Sequence, residues 1–225
     1  MKKKYLLLII LLIFNIRSFS QKHNIKVNLG LLHSNIITFD DFFVERKNNQ
    51  KILYGIGYEY KIKKFLATQI SVNYLKLGFN DYFVYTNENG VEYKRDIMPY
   101  NFNYVSFLIG ANFAYGKKIE PYLSIGISPS FLISANYYYP DEIAKKIGIE
   151  RKVNLKNKIN NLEFGIYSNI GVKYNFSRLS FFLEALLYRS ITTYTNKDYL
   201  PKYKFYNYYY AINSGIIYRI NKSSR

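Results

Sequence analysis

The stretch YGIGYEYKIKKFLATQISVNY, residues 54–74, carries the fold prediction because large apolar or aromatic side chains occupy nearly every second position in it. Glycine and polar residues fill most of the positions between, and Lys63-Lys64 interrupts the alternation once. A period of two on either side of a short break predicts two β-strands joined by a tight turn. The pattern leaves open which face meets water, the bulky one or the small and polar one.

Similar alternation recurs along the chain in eight segments, and no segment has the pattern of a helix of core length. Short connections alternate with long polar ones, as in an up-and-down meander whose two rims differ. We also expect a hairpin around Asn89-Gly90 and a short helix within residues 140–148. The short connections are Lys63-Lys64, 116–120 and 175–178, and the long ones are 39–50, 79–102, 134–160 and 190–207.

Three features place the bulky face against lipid rather than inside a soluble barrel such as a lipocalin. In each segment the alternate positions that carry the large side chains form the bulky phase, and no charged residue occupies it. Eight of the twelve glycines share the opposite phase, where a narrow barrel interior needs small side chains. Tyrosines tend to end the bulky face, as in the aromatic girdles of outer-membrane barrels. These tyrosines are Tyr58, Tyr60, Tyr74, Tyr115, Tyr174 and Tyr218.

The sequence therefore predicts an all-β fold, an eight-stranded antiparallel up-and-down transmembrane β-barrel with short periplasmic turns and long extracellular loops. Side chains just fill the interior of such a barrel. We expect the interior glutamates to pair with some of the basic residues and to plug the lumen, with an ion or proton path as the alternative. Pro129 lies on the lipid-facing phase, and we place it near the outer rim at a β-bulge. The candidate interior ionic network is Lys26, Glu59, Lys61, Glu163, Lys173, Glu184 and Arg219.

The N-terminus indicates export. MKKKYLLLIILLIFNIRSFSQ has a basic start, an apolar run too short for a membrane-spanning helix, and small residues before Gln21. We therefore predict a signal peptide at residues 1–20 and an outer-membrane β-barrel domain at 21–225. The absence of cysteine excludes a lipoprotein anchor, disulfides and thiolate metal sites. The net charge of +17 fits either a surface that meets anionic lipid or a lysine-rich coding bias.

Residues 98–134, MPYNFNYVSFLIGANFAYGKKIEPYLSIGISPSFLIS, resemble the outer-membrane β-barrel family that is widespread in Bacteroidetes and often labelled PorT-like. The matching features are Pro121-Tyr122 after a short basic turn and the Gly-x-Ser-Pro step at 126–129. Residues 162–191 are similar to the family's Phe-Gly strand, short turn and strand with a central Glu, here Glu184. The resemblance implies the barrel and the outer membrane but no common activity, since only some members serve type IX secretion.

The sequence offers little catalytic chemistry. Outer-membrane enzymes need a placed base, usually histidine, and only His23 and His33 are present. The acidic pairs Asp40-Asp41 and Asp141-Glu142 suit surface solvation or weak cation binding better than a carboxylate dyad. We therefore predict a protein that is not an enzyme, with no catalytic residue, no cofactor and no metal site.

The long loops are the predicted working surface because tyrosine and lysine concentrate there, although the same tyrosines could instead stabilise the rim. The predicted function is a structural or surface-binding role, with type IX secretion, lipid A modification and a narrow channel as alternatives. The predicted partners of this monomeric barrel are outer-membrane lipid, lipopolysaccharide and other envelope or secretion proteins, but not nucleic acid. The candidate loop binding surface is Tyr82, Tyr85, Tyr93, Tyr137, Tyr138, Tyr139, Tyr199 and Tyr203.

Overall fold

A computed structural model describes residues 23–38, 47–196 and 204–220, so the predicted signal peptide lies outside the described residues. Most of the described part is β-strand, because the period-two pattern continues through it with few breaks. Within that part no helix is long and apolar enough to cross a membrane. The strands are β1 (His23–Thr38), β2 (Lys47–Lys61), β3 (Leu66–Thr86), β4 (Glu92–Ala114), β5 (Ile119–Tyr138), β6 (Lys152–Asn154), β7 (Leu162–Phe176), β8 (Leu179–Ser190) and β9 (Phe205–Ile220), with helix α1 (Asp141–Ile147) before β6 and a 3-10 turn (Lys156–Lys158) after it.

Eight of these strands close into one antiparallel ring in the order β1-β2-β3-β4-β5-β7-β8-β9, with β9 pairing back onto β1. The β4–β5 ladder completes the closure, and β6 only adds three residues beside the outer end of β5. A closed ring satisfies the backbone N–H and C=O groups that hydrocarbon cannot bond. The predicted eight-stranded antiparallel barrel is confirmed.

The bulky phase points outward around the ring. β8 shows this most regularly, because its residues alternate between exposed and buried from Leu179 to Ser190. Soluble monomers rarely expose apolar surface of this extent, whereas a membrane barrel presents such a band to lipid. Large exposed side chains on this face include Ile25, Val27, Leu29, Ile56, Ile70, Ile109, Ile125, Phe131, Ile170, Phe181, Leu183, Ile212 and Ile216.

The two ends of the ring differ in how the strands are joined. At one end the connections 62–65, 115–118 and 177–178 are tight, and Gly116 adopts a φ of +132° that favours glycine. At the other end several strands extend further, and α1 follows the end of β5. The helix ends at Gly148, which adopts the left-handed conformation. The predicted short helix is thus confirmed. In the outer-membrane barrel that the sequence predicts, the tight-turn end is periplasmic and the end with α1 is extracellular.

Residues 79–102 differ from the predicted polar loop. β3 and β4 stay paired through this region up to Tyr85 and Lys94, so the turn itself is short. The predicted hairpin at Asn89-Gly90 is confirmed, but its strands continue those of the barrel. Aromatic and β-branched side chains keep the alternation going beyond the rim, which favours strand over loop.

Pro129 lies in the interior of β5 and not at a bulge. It pairs with Phe164 of β7, and the ladder to β4 has the same register at Ser130 and at Ile127. The irregularity in this ladder falls further out, at Ile133. The predicted bulge at Pro129 is wrong because a missing N–H removes one ladder bond without forcing a change of register.

The interior has two layers, an ionic one toward the tight turns and an apolar one toward the extracellular end. The sequence predicts a lumen filled by small and ionic side chains, and this prediction holds only for the layer near the tight turns. The apolar layer forms because interior-phase positions in the outer halves of several strands carry leucine or an aromatic residue. Its members include Leu32, Leu53, Leu75, Leu77, Phe79, Phe102, Tyr104, Leu132, Tyr188 and Tyr209.

Candidate functional site

One half of the ionic layer surrounds the carboxylate of Glu184 on β8. Lys26 Nζ lies 2.8 Å from Glu184 Oε2, and both side chains are almost fully buried. Tyr122 Oη donates to the same oxygen at 2.6 Å, and Asn213 Nδ2 donates to the other oxygen at 3.2 Å. The carboxylate therefore has a charge partner and two further donors, drawn from three other strands.

The second half surrounds the carboxylate of Glu59 on β2. Lys173 Nζ lies 2.9 Å from Glu59 Oε2. Asn112 donates to this carboxylate at 2.7 Å and Asn24 donates at 2.9 Å. Four strands thus meet at one buried charge, which fixes their relative positions inside the barrel.

Glu120 is a member of this network that the sequence prediction missed. Its carboxylate lies 3.6 Å from Lys173 Nζ and 3.6 Å from Lys61 Nζ. The prediction placed Glu120 in a short turn, whereas it is the second residue of β5 and is buried. Continuing the alternation of β5 one step back from Tyr122 would have placed it in the lumen.

An aromatic ring lies beside an ammonium group in each half of the ionic layer, and one of these rings, that of Tyr122, connects the two halves. Lys26 Nζ lies 4.1 Å from the centroid of the Phe182 ring, and Lys173 Nζ lies 4.8 Å from that of Tyr122. Three carboxylates thus face three ammonium groups. Between the two interior layers a cavity of about 10 Å³ remains, which has room for about one water molecule. Side chains therefore fill the described lumen.

Glu163 does not join this layer, which corrects its predicted pairing with a basic residue. It lies ten residues from Lys173 along β7, or about 33 Å at the usual rise per residue. Its carboxylate accepts hydrogen bonds from Tyr188 Oη at 2.7 Å and from Asn207 Nδ2 at 2.5 Å, within the apolar layer. Among the described residues, no basic group lies within ion-pair distance of it.

Arg219 lies at the periplasmic mouth and makes hydrogen bonds rather than ion pairs with the described residues. Its guanidinium donates to Ser180 Oγ at 2.9 Å, to the Ser177 carbonyl at 3.4 Å and to Asn175 Oδ1. These contacts attach β9 to the β7–β8 turn. Arg219 therefore belongs to the mouth rather than to the ionic layer.

Interior glycines and aromatic rings pack against each other. A Cβ at Gly165 would lie 2.3–2.5 Å from two ring carbons and the hydroxyl oxygen of Tyr188, so only glycine fits under that ring. This packing explains why most glycines share the interior phase. The other ring-on-glycine contacts are Tyr122 on Gly171, Phe182 on Gly215, and Tyr167 on Gly110 and Gly126.

Three of the predicted loop tyrosines lie on the β3–β4 hairpin, and two of them contact charged side chains. The Tyr82 ring centroid lies 5.4 Å from Lys47 Nζ and 5.9 Å from Arg95 Cζ. Tyr85 donates to Asp96 Oδ2 at 2.7 Å, and this hydrogen bond to a carboxylate raises the pKa of Tyr85 to about 12. The hairpin is therefore internally ordered by its own side chains.

Lys94 attaches this hairpin to helix α1. Its ammonium group lies 2.7 Å from Glu142 of the helix and 3.2 Å from Asp96 of the hairpin. The hydrogen bond to Glu142, followed by that to Asp96, raises the pKa of Lys94. Tyr93, the third hairpin tyrosine, is 68% exposed and remains available for contact with a ligand.

Other predicted loop tyrosines contribute to the extracellular rim. Tyr137 stacks on Tyr100 with ring centroids 5.3 Å apart and donates to Tyr139 Oη at 2.8 Å. Tyr138 continues β5 at the same end. The predicted surface is therefore divided between an exposed hairpin and a stacked, half-buried rim cluster. Outside the described residues lie Tyr199 and Tyr203.

The histidines lie away from any described catalytic arrangement. His23 packs on the rings of Tyr58 and Tyr60, and His33 stacks on Tyr210 with centroids 5.1 Å apart. Of the acidic pairs, Asp40-Asp41 lies outside the described residues. The other pair is used in surface ion pairs, including one between Asp141 and Arg151 at 2.9 Å. Within the described ranges, no three His, Asp or Glu side chains group as metal ligands.

Residues 19–196 match the family model described as "Outer membrane protein beta-barrel domain". Among solved structures, the chain is similar to the outer membrane protein OprG of Pseudomonas aeruginosa, with 9% identity, a TM-score of 0.52 and coverage of 90% of this chain and 97% of that one. The chain is also similar to Neisserial surface protein A, with 10% identity, a TM-score of 0.48 and coverage of 87% of this chain and 97% of that one. For the outer membrane protease OmpT of Escherichia coli the identity is 10%, the TM-score 0.45 and the coverage 91% of this chain and 99% of that one. No curated protein matches the chain in sequence. At this identity the likeness to OprG shows the fold alone.

Proposed function

The chain belongs to the outer membrane protein beta-barrel domain family, and from this premise we propose that it is a non-enzymatic, closed barrel that binds an external protein through its β3–β4 hairpin. The family and the fold place it in the outer membrane, in contact with lipid and lipopolysaccharide. The observation that carries the proposal is an ordered hairpin, residues 81–99, which extends past the ring and exposes tyrosine, arginine and aliphatic side chains together.

The hairpin extends beyond the ring because its neighbours end before it does. The β2–β3 ladder ends at Asn80, and the β4–β5 ladder ends at Tyr100. Past these residues β3 and β4 pair only with each other among the described strands. A strand pair above the membrane that has lost its sheet neighbours is available to a partner.

The outward face of the hairpin has the composition of a protein-binding surface. Val84, Tyr93 and Ile97 are 43%, 68% and 56% exposed. Arg95 lies beside them on the outward face and is also exposed. Tyrosine and arginine are enriched where protein interfaces gain most of their binding energy, and exposed aliphatic groups support such a surface. The ion pair from Lys94 to α1 reduces the ordering cost on binding.

Two further observations support a binding role over catalysis or transport. Both histidines pack on tyrosine rings at the barrel wall, away from a described nucleophile or acid pair. Buried ion pairs and the apolar layer fill the described lumen, which opposes free ion flow. A place in the PorT-like branch, and with it a part in type IX secretion, stays a prediction from resemblance.

Selection of peptides on the extracellular face tests this proposal. A random peptide library is selected on the mature chain in nanodiscs, and the binders are measured against two variants. Most peptides should lose at least about tenfold in affinity for Tyr93→Ala/Arg95→Ala, because truncated tyrosine and arginine contacts commonly cost over 1 kcal/mol each. The matched control, Tyr138→Ala/Lys152→Ala, removes a tyrosine and a base from the β5–β6 pair on the same side. Equal binding to both variants would refute the hairpin as the binding surface.

A further inference from the structure

The periplasmic mouth contains a second feature, independent of the extracellular hairpin. A cavity of about 490 Å³ opens between the tight turns and ends at the ionic layer. Small-molecule sites in proteins have volumes in this range. Five basic side chains and one carboxylate line it, together with neutral residues: Lys61, Lys63, Lys64, Lys117, Arg219 and Glu120.

The positive charge of this cavity is largely uncompensated. Its one carboxylate, Glu120, already lies between Lys61 and Lys173 and accepts a hydrogen bond from Asn175 at 3.4 Å. In the part of the chain that the structure describes, Lys63 and Lys64 have no acidic partner within ion-pair distance. Like charges that line a concave mouth concentrate the field and attract anions.

Arg219 gives the cavity a fixed donor. Its hydrogen bonds to Asn175, Ser177 and Ser180 hold the guanidinium in place and use three of its five N–H groups. The remaining N–H groups can bond a ligand without a further ordering cost on the arginine. A positioned guanidinium beside flexible ammonium groups suits a phosphate group, whose oxygens accept several charge-assisted hydrogen bonds.

We propose that the periplasmic mouth binds a small phosphate-bearing ligand, with Arg219 positioning the phosphate and Lys63, Lys64 and Lys117 supplying the charge. The ligand stops at the Glu120–Lys173 pair, because the ionic layer closes the lumen above it. Two sources share this chemistry, a soluble phosphate ester of the periplasm and the phosphate of a phospholipid headgroup.

Titration with inorganic pyrophosphate tests the site on the mature chain. Calorimetry is carried out in nanodiscs of zwitterionic lipid at low salt, because exposed charges are screened as ionic strength rises. Lys63→Ala/Lys64→Ala/Lys117→Ala should weaken binding by about tenfold, since each lost exposed ion pair weakens binding by at most about fivefold and three are lost together. The matched control is Lys145→Ala/Lys146→Ala/Lys152→Ala, which removes three exposed charges from the extracellular side and should bind as the wild type does. A wild type that does not bind pyrophosphate, or equal binding by the two variants, would overturn the proposal.

Arg219→Gln separates a specific site from a general field. It removes one charge but also the fixed guanidinium, so it should weaken binding more than Lys117→Ala does. Equal effects of these two variants would reject the positioning role. Repeating the titration in nanodiscs rich in phosphatidylglycerol identifies the source: unchanged affinity assigns the site to a soluble phosphate, and at least tenfold competition assigns it to a headgroup. Peptide binding to the extracellular hairpin is measured separately, so either proposal can fail alone.

Discussion

Replacing Glu184 by glutamine should destabilise the barrel far more than the same change at Glu163, although both carboxylates are buried and hydrogen-bonded. The Lys26 Nζ–Glu184 Oε2 distance is 2.8 Å, so at an effective dielectric constant of about 20 the attraction is about 6 kcal/mol. Glu184→Gln leaves Lys26 charged in the lumen with a neutral amide and the Phe182 ring as close partners, and so without its counter-charge. Breaking a buried pair from one side costs about 3–5 kcal/mol, and we expect a loss of that size.

Glu163→Gln is the matched control because it makes the same chemical change without leaving a buried cation unpaired. The amide can keep contacts to Tyr188 and Asn207, whose side chains both rotate or flip to suit it. The expected loss in the free energy of unfolding is about 1 kcal/mol or less. The two variants therefore separate the effect of an ion pair from that of a buried hydrogen-bonded carboxylate.

The assay is urea unfolding in lipid vesicles, with the folded fraction read from gel mobility without boiling and from tyrosine fluorescence, as the chain has no tryptophan. Lys26→Met/Glu184→Gln removes both charges and should recover most of the stability that Glu184→Gln loses. Recovery also keeps the test valid if Glu184→Gln alone does not fold. Similar losses for Glu184→Gln and Glu163→Gln, or a double variant no more stable than Glu184→Gln, would refute the assigned role of the ion pair.

Three further predictions concern packing, titration and conductance. Gly165→Ala should lower the free energy of unfolding by about 1–3 kcal/mol through overpacking against the Tyr188 ring, and an unchanged urea midpoint would contradict that packing. Tyr85 has a pKa of about 12 in the folded hairpin and about 10 when unfolded. Its hydrogen bond therefore stabilises the hairpin fully below about pH 10, and this stabilisation is lost as the pH rises through 12. Asp96→Asn should return the pKa of Tyr85 in the folded hairpin toward 10, as measured in an NMR titration of labelled tyrosine. Planar-bilayer recordings should show no stable conductance steps, and steps of porin size would mean that the ionic layer opens.

The division into a lipid face and a lumen face could be predicted from sequence because it follows from local chemistry. Each strand meets hydrocarbon on one side and a narrow interior on the other, so residue type alone separates the two phases in segments such as 54–60 and 66–74. The hairpin and the short helix could be predicted for a similar reason. Asn89-Gly90 and Gly148 are local turn and cap signals that do not depend on the rest of the fold.

The partners within the lumen could not be predicted, because they depend on how far each strand is displaced along its neighbours. Phase places Glu163 and Lys173 on the same face of β7, but their heights in the barrel separate them. The position of Glu120 was missed because the start of a strand is also hard to predict. Glu120 lies in the lumen because β5 begins at Ile119, within the residues predicted as a turn. Phase is a local property, whereas height requires the register of the closed ring.

Register also links the interior glycines to the interior charges. Tyr122 pairs directly with Gly171 on β7, and a Cβ at Gly171 would lie 2.8 Å from Tyr122 Cζ. Because that position has no side chain, the Tyr122 ring can lie across it, where its hydroxyl reaches Glu184 and its face meets the ammonium of Lys173. One glycine thus permits the contact that joins the two halves of the ionic layer. A substitution at Gly171 should therefore act electrostatically as well as sterically, because a Cβ there would also lie 2.8 Å from Cβ of Glu184, its ladder partner on β8, and would disturb the ion pair of Glu184 with Lys26 on β1.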